Sequence, residues 1–426
     1  MDSPKSPSGS VRRHVRNISH PLPRRNTKGP LDAVDDPLAD RPTSIRSDST
    51  TEAVPGDVEV ATSAPAKPLP LPPNRKFDLR FLQSPQTYHQ LPTDDIPAAF
   101  LKSEHQPSPD ATLPDLLAKG HFRPAAVVAL RQLLQADSND VEHILPLLYT
   151  RLACLVLISK PDLAAEEALP LTDFLGRGTP SAKDLLPDVP WGLRILLVRL
   201  QAIVADDGGR RAIMALYALA AEVRSHLRDA SKSGDVQMAQ TWSSRLTDLG
   251  LRVADAFVEM CELETAIRHL DSLLDVDTDE VNFRKALLRV RLGDSDGAQR
   301  SINGITSEER REMINALLTI ANDDWRDAVD AWKSAGKKYS ASDFLQQNAA
   351  VCLMYTGRLA ESRDISERLA EEHDAYPALL FNLSTVYELC TERAVDRKAS
   401  LATSLAAKPA TPSSGGWERS NAYFKL

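Results

Sequence analysis

Apolar residues recur along most of this chain at i, i+3, i+4 and i+7, the spacing of one face of an α-helix. Leu116 and Leu117, then Val127, Leu130, Leu133 and Leu134, follow it, as do Ile195, Leu196, Val198, Leu200 and Ile203. No run alternates apolar and polar residues over strand length, so a sheet is not expected. Pro114, Pro124, Pro161 and Pro190 sit where helices can begin, in the first turn, where a missing N–H leaves no hydrogen bond unmade. Between Trp191 and Ala407 there is one proline, Pro377, which leaves room for long uninterrupted helices. The expected fold class is all-α.

A longer period overlies the helical one. Glu262 to Leu270, Gly293 to Gln299, Asp323 to Trp332 and Gly357 to Ser362 share one plan. Each has a short turn and a polar step, then a small residue that opens a second helix. The small residues are Ala266, Ala298, Ala328 and Ser362, at spacings of 32, 30 and 34. A tetratricopeptide repeat, a helix–turn–helix unit, has a period of about 34 residues. A small side chain there lets two helices approach closely. Leu270, Leu273 and Trp332 are then placed to pack on the next unit, and Gly357 opens the fourth turn. Ala266, Ala298, Ala328, Trp332, Gly357 and Ser362 are the candidate packing residues. Fainter copies run upstream over Leu113–Ala136, Val141–Phe174 and Trp191–Arg228. A single unit cannot bury its apolar stripe, whereas stacked units can. The expected architecture is a tetratricopeptide-like α-solenoid over residues 113–407, with a groove suited to other proteins.

Composition separates the two ends from this array. Residues 1–75 hold 13 of the 29 prolines, nine serines and no Phe, Tyr or Trp. Such a segment has too little apolar area to offset its ordering entropy, so a disordered Pro/Ser-rich tail is expected. Its first 30 residues carry seven bases against one acid, and residues 31–67 carry eight acids against three bases. That polarity suits a solvated tail, or one regulated by phosphate at Ser3, Ser6 or Ser19. Lys67 to Pro73 favours polyproline II, as a stiff spacer or a ligand for an aromatic groove. Residues 76–112 mix Phe77, Leu79, Phe81, Leu82, Tyr88, Ile96 and Phe100 with turn residues and follow no period. They read as an extended docking segment lying on the chain's own solenoid or on a partner. Residues 408–426 read as a C-terminal tail.

Charge and chemistry remove several classes of function. Fifty-one bases against 59 acids give a net charge of −8, which argues against a nucleic-acid binder. The four cysteines, at 154, 261, 352 and 390, form neither a CxxC pair nor a disulfide framework. They suit a reducing compartment and are expected to be buried and inert. No secretory signal is read, and the most apolar stretch, Ile144–Ser159, is too short and too charged to span a membrane. There is no phosphate loop, no GxGxxG after a strand and no HExxH. No nucleophile with a nearby base stands out, although sequence can hide a triad assembled in space. The chain is therefore read as not an enzyme, with no cofactor and no metal.

One constellation has two readings. Asn282, Asn315, Asn348 and Asn382 recur at spacings of 33, 33 and 34, on the first helix of successive units. With Arg284 and Lys285 they form a candidate partner-binding groove, in which amides and bases would hold a peptide carboxylate. The same register also suits helix-end or inter-helix hydrogen bonds.

Asn348-Ala-Ala-Val-Cys-Leu-Met-Tyr-Thr-Gly-Arg-Leu-Ala-Glu-Ser362, Phe381-Asn-Leu-Ser-Thr-Val-Tyr-Glu-Leu389 and the helix holding Arg397 to Ala402 resemble the terminal repeats of one family. It is the subunit 12 family of the trafficking protein particle complex. Leu147 to Val156, Trp191 to Leu196 and Trp242 to Leu246 are similar in the same order. The resemblance covers roughly residues 113–426 and implies a non-catalytic scaffold subunit of a multisubunit vesicle-tethering complex. Such a complex acts in endoplasmic-reticulum-to-Golgi transport and autophagy. The implied partners are its other subunits, with an indirect link to a Rab-type small GTPase through the complex's core. The implied location is the cytoplasm, peripheral to ER–Golgi membranes. A peptide-binding tetratricopeptide adaptor, such as a co-chaperone, is the alternative. Reversing the charge of Arg284 and Lys285 separates the two, because only the adaptor should lose its ligand.

Overall fold

The computed structural model describes residues 77–204, 209–274, 276–339, 343–409, 411 and 416–426. The expected disordered tail, with its phosphorylation and polyproline motifs, lies outside the described residues. Among the described residues the chain is all-α, with no strand. After two short 3-10 turns, Arg80–Leu82 and Pro85–Thr87, come α1 (Ala98–Leu101), α2 (Leu113–Ala118) and α3 (Phe122–Gln135). Next are α4 (Val141–Leu157), α5 (Pro161–Gly176), α6 (Pro180–Leu185) and α7 (Trp191–Val204). A long antiparallel pair follows, α8 (Arg210–Ser233) and α9 (Val236–Glu259), then α10 (Leu263–Asp271). The regular hairpins are α11 (Thr278–Leu292) with α12 (Ser295–Ile302), α13 (Glu308–Ala321) with α14 (Trp325–Lys338), and α15 (Asp343–Tyr355) with α16 (Leu359–Glu372). The chain ends with α17 (Pro377–Cys390), α18 (Ala394–Ala406) and the single turn α19 (Asn421–Phe424).

One turn chemistry is used repeatedly. Gly120, Ser159, Gly234, Cys261, Gly293, Asp323 and Gly357 each take a left-handed backbone conformation, with φ between 60° and 77°. That conformation halts the preceding helix and lets the residue's own N–H and the one after it cap the helix's last carbonyls. At Gly293 they bond back to Val290 and Arg289, and at Gly357 to Met354 and Leu353. The non-glycine turns repeat this: Cys261 and Glu262 bond to Val258 and Phe257, and Asp323 and Asp324 to Ile320 and Thr319. Five residues after each left-handed position stands a small side chain, at Ala125, Ala164, Ala239, Ala266, Ala298, Ala328 and Ser362. All but Ala239 are buried. At Ser362 the hydroxyl donates to the Ala350 carbonyl at 2.7 Å, binding α16 directly to the backbone of α15. The buried Trp332 on α14 packs with Leu345, Ala349 and Cys352 of α15, the next unit. The sequence reading identifies four of these turns. The three at Gly120, Ser159 and Gly234 are added by the structure.

The docking segment lies on the chain's own helices. Leu79 and Leu82 enter the core of α3, α4 and α5, and Phe81 stacks on Phe174 at 5.0 Å. Beneath them Arg151 and Glu167 form a fully buried ion pair. Arg151 Nε and Nη2 donate to the two Glu167 oxygens at 2.9 and 2.8 Å. The same guanidinium donates to the Ala126 and His89 carbonyls, and His89 N–H donates to Glu167.

One sequence expectation is corrected. Cys154 and Cys352 are buried, with thiols pushed up by desolvation to about 12 and about 11, but Cys261 and Cys390 are exposed. Cys261 is a turn residue and Cys390 the last residue of its helix, so neither faces a core. His121 is 2 % exposed, against the Trp417 ring.

Candidate partner-binding surface

The four register asparagines lie one each on α11, α13, α15 and α17, the first helices of successive hairpins. Each spends its amide differently. Asn282 donates to the Gly304 carbonyl at 3.1 Å, and Asn348 to the Phe344 carbonyl of its own helix at 2.7 Å. Asn315 is exposed and Asn382 half-buried, and among the described residues neither amide has a hydrogen bond. The two bases are paired. Arg284 meets Asp255 of α9 and Glu280 of its own helix, both at 2.7 Å, and Lys285 meets Asp271 of α10. Burial opposes the Arg284 charge, but Glu280 and Asp255 hold its pKa above the usual range. Arg310 of α13 reaches back to Asp279 and Glu280 of α11, extending the network between first helices. An incoming carboxylate at Arg284 or Lys285 would have to displace an acid already in place.

A second feature has no counterpart in the sequence reading. Segments far apart in sequence, 92–106 and 416–426, bind each other and both ends of the helical array. Arg123, on α3, donates to Glu418 at 2.9 Å, to Asp95 at 3.2 Å and to the Pro92 carbonyl. Lys160, in the α4–α5 turn, adds a second cation to Asp95 at 2.9 Å. Burial pushes the Asp95 carboxyl up, yet Lys160 and Arg123 hold it below its usual range. Burial keeps the Glu418 carboxyl above its usual range despite Arg123. The Trp417 main-chain N–H donates to the Gly120 carbonyl at 3.0 Å, and the Asn421 main-chain N–H to the Asp95 carbonyl at 2.7 Å.

At the other end, Phe100 of α1 packs edge-on to Trp417 at 5.5 Å in the core of α16, α17 and α18. Ser103 Oγ donates to the Ala406 carbonyl at 2.5 Å. Buried Lys398 holds Glu388 at 2.5 Å and the Lys425 carbonyl at 3.1 Å. The described part of 408–426 is thus a packed element, with Trp417, Arg419 and Phe424 all buried. The aromatic content of this aperiodic segment hints that it packs; its pairing with residues 92–106 leaves no local pattern.

The chain is similar to subunit 12 of the trafficking protein particle complex. It is 24 % identical to the mouse protein over 229 residues, covering 50 % of this chain and 27 % of that one. With the human protein it is 23 % identical over 254 residues, covering 56 % of this chain and 32 % of that one. The chain therefore spans under a third of the length of these relatives. No family model matches it. Among solved structures, the tetratricopeptide domain of P58(IPK) aligns with 68 % of this chain and 90 % of its own, at 17 % identity and a TM-score of 0.21. The tetratricopeptide-like character is carried by the chain's own turns, each followed at a fixed interval by a small residue. Among the described residues no cluster of three or more metal-ligating side chains occurs, and no helix is long and apolar enough to cross a membrane.

Proposed function

We propose that this chain is a non-catalytic scaffold subunit of a multisubunit vesicle-tethering complex. The observation that carries the proposal is its similarity, over about half its length, to subunit 12 of such a complex in mouse and human. Stacked helical hairpins support it, because such arrays present long helix faces to other proteins. The proposed partners are the other subunits of the complex, with a Rab-type small GTPase engaged only through them. The proposed setting is ER-to-Golgi transport and autophagy, with the chain cytoplasmic and peripheral to those membranes. The proposed partner face lies along the first helices, where Asn315 and Asn382 have unspent amides. The ion pairs at Arg284 and Lys285 weigh against the carboxylate-gripping adaptor. Tagged full-length chain purified from its native cytosol tests the proposal, with size exclusion and mass-spectrometric stoichiometry. Co-elution near one-to-one with tether subunits is expected. Elution alone, or with chaperones only, overturns it.

A further inference from the structure

The long hairpin α8–α9 meets the approach to α7 at an open cleft of about 730 Å³. Trp191, at the start of α7, and Trp242, on α9, stand edge to face across it, 6.3 Å apart and perpendicular. Between them lies Arg245. Its guanidinium carbon is 4.9 Å from the Trp191 ring and 4.5 Å from the Trp242 ring. Stacking against two indoles holds an arginine by cation–π attraction and leaves its N–H edge free for a planar acceptor.

The neighbouring charges show why Arg245 stands out. Arg194, 5.5 Å from the Trp191 ring, is neutralised by a two-pronged bond to Glu222 at 2.9 and 2.5 Å. Glu222 also meets His226 at 3.6 Å, and His226 stacks on Trp242 at 4.6 Å. The acid inside the cleft is therefore engaged twice. Asp235 caps the start of α9 through the Met238 N–H. Among the described residues Arg245 has no hydrogen-bond or ion-pair partner, and neither has Lys183 at the rim; Asp188 is the one acid of the lining left unengaged. A half-buried guanidinium, fixed in orientation and without an acceptor, is an unusual expense unless a ligand supplies one. Pro187, Pro190 and Met238 add apolar wall beside the indoles, and Gln237 and Thr241 add neutral polar groups.

We infer that this cleft is a docking site for an extended acidic segment of a partner protein. One carboxylate would accept from the Arg245 fork, and a neighbouring apolar or proline residue would lie on Trp191 and Trp242. Lys183 would attract a second acid at the rim. The site is separate from the first-helix face and does not depend on the tethering assignment.

The test uses the full-length chain and two labelled peptides, Ac-Glu-Leu-Pro-Glu-Leu-Pro-Glu and its counterpart with Gln at every Glu. Fluorescence anisotropy should show the acidic peptide binding at least ten-fold more tightly, with affinity falling as salt rises. Arg245→Gln should abolish that preference. Lys183→Gln, an exposed change that leaves the fold intact, should weaken the acidic peptide about three-fold. Arg326→Gln, on an exposed face of α14, removes the same net charge and should change nothing. Arg245→Lys keeps the charge but not the fork, and should recover only part of the affinity. Equal binding of the two peptides overturns the inference and reassigns the cleft to a neutral proline-rich ligand. Binding of neither, or equal losses in Arg245→Gln and Arg326→Gln, also overturns it.

Discussion

Arg151 and Glu167 offer the sharpest test of how the first hairpins are held. Arg151 is 1 % exposed and the Glu167 side chain is fully buried, so neither charge is solvated. Arg151→Met leaves the Glu167 carboxylate in the core with only the His89 main-chain N–H and, at 3.5 Å, the His89 ring, and strips the His89 and Ala126 carbonyls of their donor. Removing one partner of a buried pair costs about 3–5 kcal/mol, because the remaining charge is uncompensated. Glu167→Leu should cost a similar amount by the same reasoning. The double variant leaves no buried charge. It keeps only the penalty for backbone groups of His89 and Ala126, about 1–3 kcal/mol in all. The singles would sum to about 8 kcal/mol, so the coupling should be at least about 3 kcal/mol. Urea unfolding followed by far-UV circular dichroism, with the slope held constant across variants, measures all four corners. Hydrogen exchange adds a local readout, since residues 77–91 rest on this pair and should exchange faster in either single variant. A double variant as unstable as the sum of the singles would refute the reasoning.

Three further outcomes follow from the same contacts. Ala328→Leu overfills a fully buried contact between α14 and its neighbours and should cost about 1–3 kcal/mol, whereas exposed Asn315→Ala should stay within about 0.5 kcal/mol, both by urea unfolding. Cys261→Gly relieves a left-handed residue at φ 62° that is exposed and carries no core contact, and should raise stability by about 1 kcal/mol in the same assay. Glu418 binds its proton more tightly when folded, so its contribution is full below its ordinary pKa of 4.5 and lost as pH rises through the higher folded value. Thermal melts at pH 4.5 and pH 8 should therefore show wild type losing stability relative to Glu418→Gln as pH rises; no change, or the opposite sign, would contradict the burial argument.

The sequence discloses the regular hairpins because their signals are local. A left-handed residue, a cap and a small side chain sit within six positions, as at Gly293, Asp294 and Ala298. The same rule, written as a small residue five places after a turn, finds Gly120 with Ala125 and Gly234 with Ala239. Ser159 escapes it, because serine does not announce a left-handed backbone. The candidate site is less legible. A 33-residue register places the asparagines on corresponding helices, but it cannot say that Arg284 and Lys285 already face Asp255 and Asp271. Those acids lie on α9 and α10, and their choice of partner depends on how three helices rotate against one another. The Trp191–Arg245–Trp242 stack is hidden for the same reason: Trp242 and Arg245 lie one turn apart on α9, but Trp191 comes from α7.

The contacts least visible in the sequence constrain function most. In a linear repeat array each unit touches only its neighbours, so stability is a sum over units and the end units open first. Here the turns after α2 and α4 bond to residues at the far end of the sequence, Trp417 to Gly120 and Tyr423 to Ser159. Arg123 joins Asp95 to Glu418, which lies 295 residues beyond Arg123 in the sequence. Residues 92–106 and 416–426 pack against the hairpins at both ends. Fraying at one end then requires breaking contacts at the other, which favours unfolding as one cooperative unit. Variants along the helix faces, or in clefts such as that beside α8–α9, are therefore better placed than changes in residues 92–106 or 416–426 to report on binding without loosening the fold.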